Sequence, residues 1–271
     1  MFEPYVFPLF PAMLAATGHK SKPVQEAALG ACAATVRALN PRAARLVLPL
    51  LFKAMESPEW RVKQGCCQLI GVLAKHASSQ LNICMPLIVP RVTVCLRDTK
   101  KEVSKAAKQA LVDACSVMNN PDIAPVVPAM LLAIKDPDQC PAALEDLMHT
   151  TFVHPVDASS LSVIVPILAR SLTSRGAMHE KRKAATVIIN MCKLVLNPSD
   201  VEPFVPKLLP ELKRSAEDAA FDEIREVCAA AEATLLRAMG EAGIAVINEN
   251  KKKRSAAKAA SAAAAEDDRN D

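Results

Sequence analysis

Apolar residues recur along this chain at helical spacing, in paired segments divided by short polar breaks. The clearest pair runs from Leu81 to Met118. An apolar stretch, LNICMPLIVPRVTVCLRD, carries Pro90 inside it and ends at a break at Asp98 and Thr99; in the next segment Val103, Ala106, Ala107, Ala110, Leu111 and Cys115 fall on one face. The pattern predicts a helix, a turn and a second helix. One such hairpin cannot bury its own apolar stripes and needs neighbours built the same way. Prolines in matching apolar contexts mark them, at Pro11, Pro49, Pro90, Pro128, Pro166 and Pro210, with spacings of 38, 41, 38, 38 and 44 residues.

A period near forty with two helices per unit predicts an all-α fold, a right-handed α-solenoid of about six HEAT-like (armadillo-like) helical hairpins. Residues 1–243 are assigned to the solenoid and 244–271 to a low-complexity charged tail without fixed structure. Unit one reads as a first helix FEPYVFPLFPAMLAA, a turn over Gly18 to Lys22, and a second helix. It opens directly in a helix that needs a neighbour, which points to a segment of something longer. Asn40-Pro41, Asn120-Pro121 and Asn197-Pro198 start units two, four and six. Unit four has a short second helix, Asp138 to Thr150, interrupted by Pro141, and Thr151 to Val156 predicts a local irregularity where the superhelix changes pitch. Unit five pairs SSLSVIVPILARSL with HEKRKAATVIINMCKLV, and unit six stops near Gly240 to Gly243.

Composition narrows the class. Hydrophobic residues make up 51% of 271, aromatics only 3%, and there are 7 glycines, so the core is aliphatic packing between helices. The 20 prolines fall mostly at helix starts, such as Pro23, Pro41, Pro58, Pro121 and Pro198, or at the recurring first-helix position, where each bends its helix. Nine cysteines, odd in number and without a CxxC, replace Ala or Val in the helical stripes; they read as buried small hydrophobes in a reducing cytoplasm. The longest uncharged run, Pro4 to Gly18, is too short and too proline-broken to span a bilayer, so no membrane association is expected.

Catalytic patterns are missing. There is no GxxxxGK[ST] and no GxGxxG after a strand, and His19, His76, His149, His154 and His179 form no metal spacing. The reading is therefore non-enzymatic, with no cofactor and no small-molecule substrate. Positive charge instead recurs in the turn between paired helices or the first turn after it. Lys20 and Lys22 stand there in unit one, Arg61 and Lys63 in unit two, Lys100, Lys101 and Lys105 in unit three, and Lys181, Arg182 and Lys183 in unit five. Lysine at a helix start opposes the macrodipole at roughly 0.3–1 kcal/mol per charge. Its repetition points to an anionic partner; the competing reading is a solvated edge balanced by Glu59, Glu102 and Glu180. Trp60, beside Arg61, is either a wedge over the core or a partner anchor. The sparse aromatics direct any RNA contact to phosphate and shape. Lys251 to Arg254 reads as part of a solvated tail, with nucleic-acid binding or nuclear import as its alternative.

FEPYV at Phe2 to Val6, DTKKEV at Asp98 to Val103, TTFV at Thr150 to Val153, SLSVIVPIL at Ser160 to Leu168, KRKAATVIINMCKLV at Lys181 to Val195 and PFVPKLLPELK at Pro203 to Lys213 resemble the N-terminal HEAT region of fungal-type translation elongation factor 3, collinearly over about residues 2–240. Related segments occur in the ribosome-bound activator of the amino-acid-starvation kinase. The resemblance implies a cytoplasmic ribosome-binding arm acting in translation elongation, its contacts falling on rRNA phosphates and ribosomal proteins through basic turns such as Lys100, Lys101, Lys181, Arg182 and Lys183. The chain departs from that family in carrying no ATP-binding cassette. A TOG-like tubulin-binding array, a general protein scaffold and a fragment of a cassette translation factor stand as alternatives.

Overall fold

A computed structural model describes residues 3–173 and 178–245; every described element is helical or a turn. The chain divides into two compact units, Met1–Asp146 with Ala158–Ile167, and Leu147–Asp157 with Leu168–Asp271.

The first unit opens with α1 (Glu3–Val6) and α2 (Phe10–Ala16), followed by α3 (Lys22–Ala38), α4 (Ala44–Met55), α5 (Trp60–His76), α6 (Ser78–Leu96) and α7 (Lys101–Cys115). The single first helix expected over Phe2 to Ala16 is broken by a turn at residues 7–9. Pro8 and Pro11 explain the break, since each lacks an N–H and disfavours helical geometry in the residue before it. From there the pattern is the expected alternation. Helices α2, α4 and α6 pack side by side in one layer, α3, α5 and α7 in a second, and each hairpin joins the two.

Core burial follows the stripes. Leu14, Leu51, Leu69, Ile70, Met85, Ile88 and Leu111 are almost fully buried, each such side chain contributing roughly 1.5–3 kcal/mol. Helix α5 is covered on most sides by α2, α3, α4, α6 and α7. Glycine lets α7 come close there, because a Cβ on Gly71 would stand 2.5 Å from the Asp113 carboxylate. Helix α6 is long and apolar enough to cross a membrane; in this fold it is a core helix against α4, α5, α7 and α8 (Val127–Lys135). All nine cysteines are buried and free, as their positions in the stripes predicted.

The turns are held by short polar side chains. Asn40 accepts from the Arg42 N–H at 3.0 Å, Asp98 from the Lys100 N–H at 2.9 Å, Asn120 from the Asp122 N–H at 3.0 Å and Asp136 from the Asp138 N–H at 3.1 Å. Asn40-Pro41 opens a 3-10 turn, Pro41–Ala43, before α4 begins. After α8, a 3-10 turn leads into α9 (Cys140–His149). Pro141 is the second residue of α9, where a missing N–H costs no hydrogen bond, so it starts the helix and does not interrupt it. Residues 150–157 are non-helical, as the β-branched, proline-broken stretch predicted. Helix α10 (Ala158–Thr173) follows, buried along most of its length.

In the second unit, α11 (Met178–Cys192) packs on α14 (Asp222–Ala238), which pairs with α13 (Val205–Asp218); a short α12 (Pro198–Val201) precedes α13. Gly240, with φ +66°, ends α14. Residues 241–245 are helical again, so regular structure continues two residues past the expected boundary at 243. The rest of the expected tail, including Lys251 to Arg254, lies outside the described residues.

Candidate functional site

The cations singled out in the sequence fall into two kinds, those engaged within the fold and those left in solvent. Lys22 is the first residue of α3, and its Nζ stands 3.7 Å from Glu26 one turn on. Trp60 is the first residue of α5 and is half-buried, with the Arg61 guanidinium stacked 4.6 Å over its ring and 3.8 Å from Glu59. Lys63 reaches from α5 to the next hairpin and meets the Asp98 carboxylate at 3.1 Å, with both side chains largely shielded. The Lys100 N–H, burial and Lys63 act together on Asp98; the hydrogen bonds and the lysine charge prevail over desolvation and hold its carboxyl below the usual range. Arg182 similarly ties α11 to Glu223 at the start of α14, at 3.1 Å. These pairs staple adjacent helices together, a role their sequence positions did not disclose.

Lys20, Lys100, Lys101 and Lys105 are exposed. Lys20 lies in the turn before α3, Lys100 and Lys101 at the start of α7, and Lys105 one turn further along that helix. In the second unit Lys181 is half-buried and lines a hollow of about 430 Å³ with Thr173, Met178, Arg214 and Asp218, while Lys183 is half-buried on the same helix. The three turns of the first unit belong to consecutive hairpins of one stack.

Beside those turns is a feature the sequence reading did not collect. The second helices α3, α5 and α7 border a groove of about 990 Å³. Arg37, Lys75, Lys105 and Lys108 give it positive charge, Gln64, Gln68 and Gln109 give it amides, and Glu102 and Asp113 are its carboxylates. Val72, Ala106 and Ala110 supply apolar surface. Of these, only Lys105 was a candidate from sequence. A signal was present nonetheless: Arg37 and Lys75 are 38 residues apart and Gln68 and Gln109 are 41 apart, the same steps as Pro11 to Pro49 and Pro49 to Pro90. The Cys67 thiol also lines the groove, and its hydrogen bond with Cys95 together with burial raises its pKa. Among the described residues no group of three or more His, Cys, Asp or Glu side chains gathers as a metal site.

Helical hairpins at a forty-residue period, stacked in two layers and carrying charge on turns and grooves, define a HEAT-repeat array, a class that works through extended surfaces. The comparison with known proteins narrows this. Residues 1–111 match the family described as EF3 N-terminal HEAT repeat, and residues 139–245 the family described as Elongation factor 3/GNC1 HEAT repeat. The chain belongs to this elongation factor 3/GNC1 family of HEAT repeats. It is 41% identical over 248 residues to Protein ILITYHIA of Arabidopsis thaliana, covering 89% of this chain and 9% of that protein. It is 38% identical over 244 residues to Elongation factor 3 of Phytophthora infestans, covering 90% and 23%, and 38% identical over 243 residues to the stalled ribosome sensor GCN1 of Homo sapiens, covering 89% and 9%. The chain thus spans less than a quarter of the length of these relatives.

Proposed function

We propose that this chain is a non-catalytic binding module that attaches to the ribosome in the cytoplasm and acts in translation. The observation that carries the reading is the pairing of two family matches, along residues 1–111 and 139–245, with relatives that are elongation factors and a sensor of stalled ribosomes. The exposed turn cations Lys20, Lys100, Lys101 and Lys105 support it, because rRNA presents closely spaced phosphates that lysine meets as a point charge. The paired cations Lys63 and Arg182 serve the fold in this reading and contribute little to attachment.

Co-sedimentation of the purified chain with 80S ribosomes across a salt series tests this. Saturable binding should weaken steeply with salt, and replacing Lys20, Lys100, Lys101 and Lys105 by alanine should lower the slope of log K against log salt by roughly 0.7–0.9 per phosphate contact removed. A chain that stays in the supernatant at low salt, or a variant that pellets as the parent does with the same slope, overturns the assignment of attachment to these turns.

A further inference from the structure

The groove along α3, α5 and α7 differs in chemistry from a phosphate-binding turn. Its four cations, Arg37, Lys75, Lys105 and Lys108, are exposed, and among the described residues none has an ion-pair partner. Four cations against two carboxylates, with none of the four tied up in an ion pair, make the concavity a complement to an anionic ligand. The remaining lining says which kind. Glu102 and Asp113 interrupt the positive lining, which suits a ligand that carries its negative charges at intervals and not on every unit as a phosphate chain does. Asp113 is held there, accepting from Gln109 Nε2 at 2.9 Å and lying against the side of α5 that Gly71 leaves open.

We propose that this groove binds an extended, acidic stretch of polypeptide. Each glutamine amide presents donors and an acceptor, the same complement as a peptide bond, so Gln64 and Gln68, and Gln109 through its oxygen and the N–H it does not give to Asp113, can pair with the main chain of a ligand laid across the helices. The placement of Gln68 and Gln109 at equivalent repeat positions gives such a ligand a regular spacing of partners. Alternate ligand side chains then face the apolar surface of Val72, Ala106 and Val112, and acidic ones meet the cations. Three neighbouring helices at spacings of about 9 Å span about 18 Å, room for five or six extended residues at roughly 3.3 Å each. No Phe, Tyr or Trp lines the groove, and its one imidazole, His76, is tied through Nε2 to the Leu39 carbonyl oxygen at 3.0 Å, so the groove lacks the broad ring surfaces on which successive bases stack. This inference goes beyond ribosome attachment: the two surfaces share Lys105, but Lys20, Lys100 and Lys101 lie outside the groove lining, and the groove variants below leave all four of these lysines in place.

The test is fluorescence anisotropy with a fluorescein-labelled ELEVELEV peptide, in which acidic and apolar residues alternate, its charge-reversed counterpart KLKVKLKV and a labelled eight-nucleotide single-stranded RNA, on the whole chain. The acidic peptide should bind saturably and the basic one should not. Two variants probe the groove: Lys75→Ala with Lys108→Ala should weaken peptide binding about tenfold, the effect of one charge-assisted contact or more, and Gln68→Ala with Gln109→Ala should weaken it severalfold. All four side chains are exposed, and retention of the parent's helical circular dichroism and Trp60 fluorescence verifies folding. The proposal is overturned if the peptide fails to bind, if either double variant binds it as the parent does, or if the RNA binds more tightly and tolerates the glutamine changes.

Discussion

The ion pair between Lys63 and Asp98 should act as a staple between consecutive hairpins, and Asp98 as a cap for the turn into α7. The Asp98 side chain is 13% exposed and the Lys63 side chain 26%, so the pair is better shielded than an ordinary surface bridge. Asp98→Ala removes two interactions, the 2.9 Å acceptor for the Lys100 N–H and the 3.1 Å contact with the lysine. A hydrogen bond to a charged group contributes roughly 1.5 kcal/mol or more, and a partly shielded pair about 1 kcal/mol, so the variant should lose about 2–3 kcal/mol. Asp98→Asn keeps an oxygen for Lys100 and should lose only about 1 kcal/mol. Urea unfolding followed through Trp60 reads the first unit specifically, because this is the chain's only tryptophan and it starts the helix that carries Lys63. A double-mutant cycle with Lys63→Met should give a coupling near 1 kcal/mol. The pH dependence has a fixed sign. Because the folded pKa lies below the unfolded value of 3.8, the contribution is present above that pH and is lost as pH falls through the folded pKa. The gap between parent and Asp98→Ala should therefore close in acid. Equal small losses for Ala and Asn, a coupling near zero, or a gap that widens on acidification would refute the staple.

Other sites give sharper single readings. Leu51→Ala, at a position with no exposure, should cost about 3 kcal/mol in the same urea assay through transfer and cavity effects. Gly240→Ala should cost about 1–2 kcal/mol in the thermal unfolding of the second unit, since a side chain there meets φ +66° and the Pro198 ring at 3.2 Å. Burial pushes the Cys66, Cys115 and Cys192 thiols up to about 12 and Cys32 to about 11. A thiol reagent at about pH 8 should accordingly react with only a small fraction of the nine cysteines in the native chain and with all of them in denaturant.

The hairpin array was legible because its cause is local. Spacing of Val103, Ala107, Ala110 and Leu111 on one face declares a helix whatever surrounds it, and the turn at Asp98 falls where the apolar run stops. The break in the first helix was less legible, since Pro8 and Pro11 could have been absorbed as a bend. Site residues divide by the range of their partners. Lys63 meets a carboxylate 35 residues away and Arg182 one 41 residues away, so no window around either shows that its charge is engaged. The groove escaped notice for a related reason. Arg37, Gln68, Lys75 and Gln109 look like ordinary polar positions on separate amphipathic helices, and only stacking puts them on one concave wall.

The recurring proline shows how one sequence position can carry two structural meanings. Pro49 lies inside α4, where its ring leaves the Arg45 carbonyl without a helical donor, whereas Pro128 is the second residue of α8, where no such donor is required. Both are exposed, so neither contributes much buried surface. For Pro49→Ala the local gain is at most about 3 kcal/mol, the difference in helix propensity. Against it stands about 0.4–1 kcal/mol from the greater freedom of the unfolded chain, together with whatever repacking follows when the bend relaxes beneath Leu48 and Leu51. A net gain of about 1–2 kcal/mol is expected. For Pro128→Ala the helical gain is absent and only the unfolded-state term remains, so a loss of about 0.5–1 kcal/mol is expected. Opposite signs in matched thermal melts would establish that the period marks a place in the repeat and that helix register decides the energetics. If both variants lose stability, the bend at Pro49 is itself required for α4 to fit between α2 and α6, and its curvature counts as part of the packing.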